Sequence, residues 1–203
     1  ALIDCAQAWV GRARGGLAIV CVVACSIFAA ICGSSVATAV AIGSILIPAM
    51  VKRNYEAHFA LGTVAAAGTL GILIPPSIML VIMGDLLSVS VGALFAAAVV
   101  PGLILALLYV IYIATLAAVR PHLAPPLPAD VGPKTAAAFG RMIVKSFFPP
   151  VFLIALVLGS IFAGWATPTE SGAVGVFGSM LIAALNRRLT MKMMTEAIFS
   201  CCR

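Results

Sequence analysis

Hydroxyl groups in an otherwise apolar stretch are the feature of this sequence most suited to binding a ligand. Residues 33–38, GSSVAT, supply three hydroxyls, and no acidic or basic side chain lies between positions 15 and 51. Neutral oxygens suit a monovalent hard cation such as Na⁺, because protein sites for Ca²⁺ or Mg²⁺ usually include carboxylates. The alternative interpretation is that Ser34, Ser35 and Thr38 only cap a helix and pack against a neighbouring one.

A proline pair interrupts a later apolar run and gives a second place with free backbone oxygens. Pro75 and Pro76 cannot donate backbone hydrogen bonds, so they leave carbonyl groups of the preceding turn without their usual partners. Gly68 and Gly71 allow another backbone to approach closely. We therefore expect this stretch to present carbonyl oxygens to a neighbouring segment.

Composition places both features in a membrane protein. Of the 203 residues, 64% are hydrophobic and 9% are charged, whereas an ordinary soluble domain is about half apolar and about a quarter charged. This difference excludes a soluble globular fold, a disordered chain and a nucleic-acid-binding domain. At about 20 residues per crossing, the chain can supply about five to seven membrane segments.

The positions of the charges predict the topology. Basic residues occur at 12–14, 52–53, 120–145 and 187–203, whereas the connections 83–92 and 165–171 hold no Lys or Arg and one acid each, Asp85 and Glu170. The positive-inside rule places the basic set in the cytoplasm and the two acidic connections outside. The apolar runs 17–31 and 36–51 therefore enter and return on one side.

The first two apolar runs are too short to be ordinary crossings. Each has about 15 residues, or about 22 Å of helix, against a hydrocarbon core of about 30 Å. We therefore predict a re-entrant helical hairpin at 17–51, a broken helix at 59–87 and a spanning helix at 93–119. Ser35 and Ile74 lie 17 and 16 residues from the inner-face residues Lys52 and His58, so both breaks should reach one depth. Broken helices that meet near the midplane form the ion and substrate sites of secondary transporters.

Other motifs favour structure over chemistry. The six cysteines form no CxxC pair, and the two histidines lie 64 residues apart, which argues against zinc or redox sites. No Ser-His-Asp grouping or pair of carboxylates can be assembled within the membrane segments, so an enzyme is poorly supported. Residues 167–170, TPTE, are typical of a capping box at a helix start.

Three stretches resemble one protein family. They are FAAICGSSVATA at 28–39, GTLGILIPPS at 68–77 and TPTE at 167–170, and they are similar to the DctM-type large membrane subunit of TRAP transporters. The resemblance implies an all-α polytopic membrane protein, one half of an inverted-repeat transporter. It implies a sodium-driven importer of organic acids, carboxylates or sulfonates, in the bacterial inner membrane. The expected partners are a periplasmic binding protein and a small membrane subunit.

The resemblance also assigns a sodium site between the hairpin tip and the proline break. With the hydroxyls of the tip added, the candidate sodium-binding residues are Gly33, Ser34, Ser35, Thr38, Gly71, Ile74, Pro75 and Ser77. Ser35 and Pro76 are the candidate substrate-binding residues, and we expect no cofactor other than Na⁺ as the coupling ion.

The resemblance divides the chain into three parts. Residues 1–119 correspond to most of a first repeat, 120–146 to a cytoplasmic loop, and 147–203 to the truncated start of a second repeat. Because the chain begins at Ala1 and a segment has just begun at Met191, we expect a fragment of a longer protein. Two alternatives stay open: a structural membrane subunit that transports nothing, and a sodium–anion symporter that works without a binding protein.

Overall fold

The computed structural model describes residues 15–120, 122–125 and 136–185, with positions 195 and 199. Every regular element in these ranges is an α-helix, as predicted. The basic residues of the clusters at 12–14 and 187–203, and residues 121 and 126–135 of the predicted loop, lie outside the described residues. The helices are α1 (Gly16–Cys32), α2 (Ser35–Val51), α3 (Ala57–Gly68), α4 (Leu70–Leu73), α5 (Ile78–Leu86), α6 (Val91–Val119), α7 (Ala136–Phe162) and α8 (Pro168–Leu185).

Helices α1 and α2 form a helical hairpin that turns at Gly33 and Ser34. Gly33 adopts a left-handed conformation with φ 62°, and its N–H donates to the Ala29 carbonyl at 2.8 Å. Glycine adopts this conformation without the steric penalty of a Cβ. Ser34 is extended, and its hydroxyl accepts from the Ala37 N–H at 3.5 Å. The turn therefore ends one helix and caps the next.

Three chain segments meet at the end of the hairpin opposite its tip. The Gly15 N–H donates to the Ala124 carbonyl at 3.3 Å, and the Glu56 N–H donates to the Leu123 carbonyl at 3.2 Å. The Tyr55 hydroxyl accepts from the Leu17 N–H at 3.3 Å, and burial raises the pKa of this phenol. The start of α1, the end of α2 and the segment after α6 therefore lie together, as a hairpin with both ends on one side requires.

Helices α3, α4 and α5 form a broken helix. The α3–α4 stretch and α5 are bent by 41° across the break, which contains the cis peptide bond Pro75–Pro76. A smaller irregularity at Thr69 separates α3 from α4, and the sequence analysis missed it. The predicted interruption at the prolines is confirmed, because α4 ends at Leu73 and α5 begins at Ile78.

Helices of the described chain are apolar enough for a membrane. By length and composition α6 and α8 each suffice to cross one, the bent α3–α5 stretch is a third candidate, and α1, α2 and residues 148–162 are shorter apolar helices. Large side chains on α6 point outward, with Leu103 60% and Leu107 58% exposed. An all-α membrane fold is confirmed, whereas the re-entrant path of the hairpin stays a prediction.

The chain forms two compact units, residues 1–151 and 152–203. In the first, α1 supplies much of the core together with residues of α2, α3, α4 and α6. In the second, Gly175 and Gly178 of α8 face Val157 and Leu156 of α7. Helix α7 begins at Ala136, so the part of the predicted 120–146 loop from there onward is helical. The assignment of repeats and of a cytoplasmic side stays a prediction.

Candidate cation site at the hairpin tip

The hairpin tip and the proline break lie against each other. The Ile78 N–H donates to the Gly33 carbonyl at 3.4 Å. A Cβ added to Gly33 would lie 2.8 Å from the Pro76 carbonyl oxygen and 3.4 Å from Ser77 Cα. The two breaks therefore meet, as their similar distances from Lys52 and His58, 17 and 16 residues, predicted.

Two glycines of the broken helix make this contact possible. A Cβ at Gly71 would lie 2.7 Å from the Ser34 carbonyl oxygen and 2.9 Å from the Ser35 nitrogen. A Cβ at Gly68 would lie 2.8 Å from Ala39 Cβ. Backbone cannot yield to such contacts as a flexible side chain can, so any larger residue at Gly71 must push α4 away from the tip. The predicted close backbone approach at Gly68 and Gly71 is confirmed.

Part of the polar chemistry at the tip is used by the helices themselves. The buried Thr38 hydroxyl donates to the Ser34 carbonyl at 2.7 Å. The buried Ser77 hydroxyl donates to the Ile72 carbonyl at 2.8 Å. Each hydroxyl uses its one proton in this hydrogen bond. Its oxygen keeps lone pairs that can accept another hydrogen bond or coordinate a cation.

Other oxygens are free of such roles. The Ser35 hydroxyl is half-buried and makes no hydrogen bond within the described chain. Pro75 has no N–H for the Gly71 carbonyl, which is its usual partner one helical turn back. The tip and the break together thus offer hydroxyl and carbonyl oxygens without any ionised group. No cluster of three His, Cys, Asp or Glu side chains occurs among the residues described.

The predicted site residues fall into three groups. Gly33, Ser34, Ser35, Gly71, Pro76 and Ser77 meet at the contact between tip and break. Thr38 lies one turn into α2 and is bonded to Ser34. Ile74 faces away toward α6, where a Cβ at Gly102 would lie 3.2 Å from its Cγ1. Pro75 acts indirectly, because its missing N–H leaves the Gly71 carbonyl without a helical donor. Whether these residues bind sodium or substrate stays a prediction.

A polar contact between α4 and α6 was missed by the sequence analysis. The hydroxyls of Thr69 and Tyr109 lie 3.1 Å apart. A tyrosine inside a long apolar helix was the available signal, because a tyrosine hydroxyl usually finds a partner when it leaves water. The partner itself is 40 positions away along the chain and no local pattern identifies it.

A cavity of about 300 Å³ lies between α1, α3 and α6. Its wall includes Thr63, Ala66, Tyr109 and Tyr112, and it includes none of the predicted site residues. The cavity and the contact between tip and break are therefore separate features of the first unit.

The predicted capping box at the start of α8 is confirmed. The Thr167 N–H donates to Glu170 Oε2 at 2.8 Å, and the Glu170 N–H donates to Thr167 Oγ1 at 3.3 Å. Glu170 therefore serves the helix start, as its spacing from Thr167 indicated.

Comparison with known proteins assigns the family. The profile described as "Tripartite ATP-independent periplasmic transporter, DctM component" matches residues 1–203. A "C4-dicarboxylate TRAP transporter large permease protein DctM" from Pseudomonas aeruginosa is 44% identical over 182 residues, which cover 90% of this chain and 41% of the relative.

Two relatives with other named substrates are also similar. An "Ectoine/5-hydroxyectoine TRAP transporter large permease protein UehC" from Ruegeria pomeroyi is 36% identical over 91% of this chain and 41% of its own length. An "Isethionate TRAP transporter permease protein DctMQ" from Oleidesulfovibrio alaskensis is 35% identical over 92% of this chain and 28% of its own length. The chain thus spans less than half the length of these relatives. It belongs to the DctM family of tripartite ATP-independent periplasmic transporter components, which are membrane transport proteins and not enzymes.

Proposed function

We propose that this chain is part of the large permease of a sodium-coupled importer of organic acids in the bacterial inner membrane. A periplasmic binding protein delivers the substrate in this proposal, and a small membrane subunit accompanies the permease. The observation that carries the proposal is the contact between the neutral hairpin tip and the proline break, where Gly71 lies against Ser34. Two interrupted helices that meet in this way are the usual architecture of an ion site in a secondary transporter.

The oxygens at this contact favour a monovalent cation. Ser35 offers a free hydroxyl, and Gly71 offers a carbonyl without its helical donor. The hydroxyls of Thr38 and Ser77 already donate to backbone carbonyls, but their oxygens still have lone pairs. A divalent ion surrounded only by neutral oxygens would lack the carboxylates that such ions usually require. Neutral oxygens coordinate Na⁺ through their dipoles and leave no buried negative charge when the ion departs, and a carrier that must release its ion benefits from this property.

The tip also suits the anionic part of an organic acid. Helix α2 begins at Ser35, and the first N–H groups of a helix favour a negative group nearby. Ser35 and Pro76 stand at this edge of the site, and we propose them as substrate contacts beside the cation. The relatives named for C4-dicarboxylates, ectoine and isethionate support an organic ion of this general kind.

Uptake by the reconstituted complex tests the proposal. The complete permease, its small subunit and its binding protein are placed in proteoliposomes, and uptake of labelled C4-dicarboxylate, ectoine and isethionate is measured under an inward Na⁺ gradient. We expect uptake of one substrate that requires both Na⁺ and the binding protein, with K⁺ as the control cation. Uptake without the binding protein would select the sodium–anion symporter. If a folded complex takes up none of these substrates and binds neither Na⁺ nor substrate, the alternative of a structural subunit that transports nothing is favoured.

A further inference from the structure

Helix α6 contacts both ends of the short helix α4. At one end, a Cβ at Gly102 would lie 3.2 Å from Ile74 Cγ1 and 3.5 Å from the Leu73 carbonyl oxygen. At the other end, the Tyr109 hydroxyl lies 3.1 Å from Thr69 Oγ1. Gly102 and Tyr109 are about two helical turns apart and therefore share one face of α6. Helix α4 carries Gly71, so the segment that faces the hairpin tip is held from behind at two points.

The chain needs such support because the helix is irregular at Thr69. The Thr69 N–H donates to the Ala66 carbonyl at 3.1 Å, and the Ile72 N–H donates to the Thr69 carbonyl at 3.3 Å. These bonds span three residues, so the regular four-residue ladder between α3 and α4 is interrupted. An interrupted ladder fixes the direction of α4 less firmly than a continuous helix would.

The direction of the Thr69–Tyr109 hydrogen bond follows from the proton count. Thr69 Oγ1 donates its one proton to the Ala66 carbonyl at 2.7 Å. The Tyr109 hydroxyl must therefore donate to Thr69 Oγ1. Thr69 is exposed at the surface of this unit, among apolar side chains, and in a bilayer little water competes for either hydroxyl.

We infer that Tyr109 is a positioning residue for the cation site: its hydroxyl, through Thr69, fixes α4 so that Gly71 stays against Ser34. The inference rests on the proposed function, because it assumes a cation between tip and break. A Cβ added at Gly71 would lie 2.7 Å from the Ser34 carbonyl oxygen, so the backbones of α4 and the tip are closely packed. A loosened α4 no longer holds the Gly71 carbonyl at a fixed distance from the tip oxygens, which lowers the affinity for the cation.

The sodium dependence of uptake by the reconstituted complex tests this role. Tyr109→Phe should raise the Na⁺ concentration for half-maximal uptake about threefold, the size expected for one interhelical hydrogen bond in a membrane protein. The maximal rate at saturating Na⁺ and the amount of complex in the membrane should equal those of the wild type. Tyr112→Phe is the matched control, because Tyr112 lies on the same helix, lines the same cavity and makes no hydroxyl hydrogen bond within the described chain.

Variants at the partner position separate positioning from simple packing. Thr69→Val should reproduce the shift, Thr69→Ser should retain wild-type sodium dependence, and Tyr109→Phe combined with Thr69→Val should be no worse than either change alone. Unchanged sodium dependence in both Tyr109→Phe and Thr69→Val overturns the inference while the proposed function stands. If uptake by the wild-type complex does not depend on Na⁺, both the inference and the proposed function are overturned. If Tyr109→Phe does not fold, the Thr69→Val and Thr69→Ser pair decides.

Discussion

Helices α1 and α6 are both almost wholly apolar, yet they lie in opposite surroundings. In α1, Leu17, Val20 and Cys25 are 0% exposed, whereas Leu103 and Leu107 of α6 are more than half exposed. Small residues such as Ala18, Cys21 and Ala29 recur along α1 and let neighbouring helices approach closely. The outward face of α6 carries large branched side chains, which suit contact with lipid tails. Overall hydrophobicity therefore identifies both as membrane helices, and side-chain size separates the central helix from the peripheral one.

The largest expected difference between the two regions is the side of the membrane on which their ends lie. The hairpin formed by α1 and α2 should begin and end in the cytoplasm, whereas α6 should cross. In a background without native cysteines, a membrane-impermeant thiol reagent should label Leu87→Cys from outside and should reach Lys52→Cys and Arg120→Cys only after the cells are opened. The charge pattern is the reason. Labelling of Lys52→Cys in intact cells would mean that the hairpin is not re-entrant.

Truncation of a leucine should distinguish the buried helix from the exposed one. Leu17→Ala in α1 should lower the free energy of unfolding by about 2–5 kcal/mol, because it leaves a cavity in the core. Leu107→Ala in α6 should cost less than about 1 kcal/mol, since an exposed side chain leaves no enclosed void. Unfolding of the purified permease in mixed detergent micelles measures both. Equal losses would show that α6 is covered by another part of the complete protein.

A methyl group at the contact of the hairpin with the broken helix should have the next largest effect. Gly71→Ala places a Cβ 2.7 Å from the Ser34 carbonyl oxygen, whereas a Cβ at Gly62 meets nothing within 4 Å. We expect Gly71→Ala to cost about 1–3 kcal/mol through overpacking and to abolish most uptake. Gly62→Ala on the same broken helix should be neutral or slightly stabilising. Retained uptake in Gly71→Ala would show that the tip and break can separate without loss of function.

A more local effect, which leaves the fold intact, is expected from the loss of one hydroxyl at the tip. Ser35→Ala should raise the Na⁺ concentration for half-maximal uptake about tenfold, which corresponds to about 1.4 kcal/mol, with normal expression. Ser44→Ala is the control, because this exposed serine of α2 bonds only within its own helix, to the Ala41 carbonyl at 2.9 Å. Identical sodium dependence of the two variants would favour the view that the tip hydroxyls only cap and pack.

Local sequence patterns predicted the breaks and the caps of this fold. A glycine that can adopt positive φ ends α1 at Gly33, and prolines without N–H groups end α4 before Pro75. Thr167 and Glu170 predicted the start of α8. These features depend on backbone chemistry within a few residues, so they can be read without the fold. The irregularity at Thr69 and the start of α7 at Ala136 were missed.

The sequence by itself determined that this chain is helical, apolar and interrupted at two matched positions. The tertiary structure decided which helix is central, that Gly71 meets Ser34, and that Tyr109 reaches Thr69 across 40 positions. The physical reason is that hydrophobicity places every apolar run in the bilayer but does not choose between neighbouring helices, because lipid tails are as apolar as the helices themselves. Glycine and proline act on the backbone within a few residues of their own position. The packing partner of a helix depends instead on surface shapes that exist only after the helices have packed.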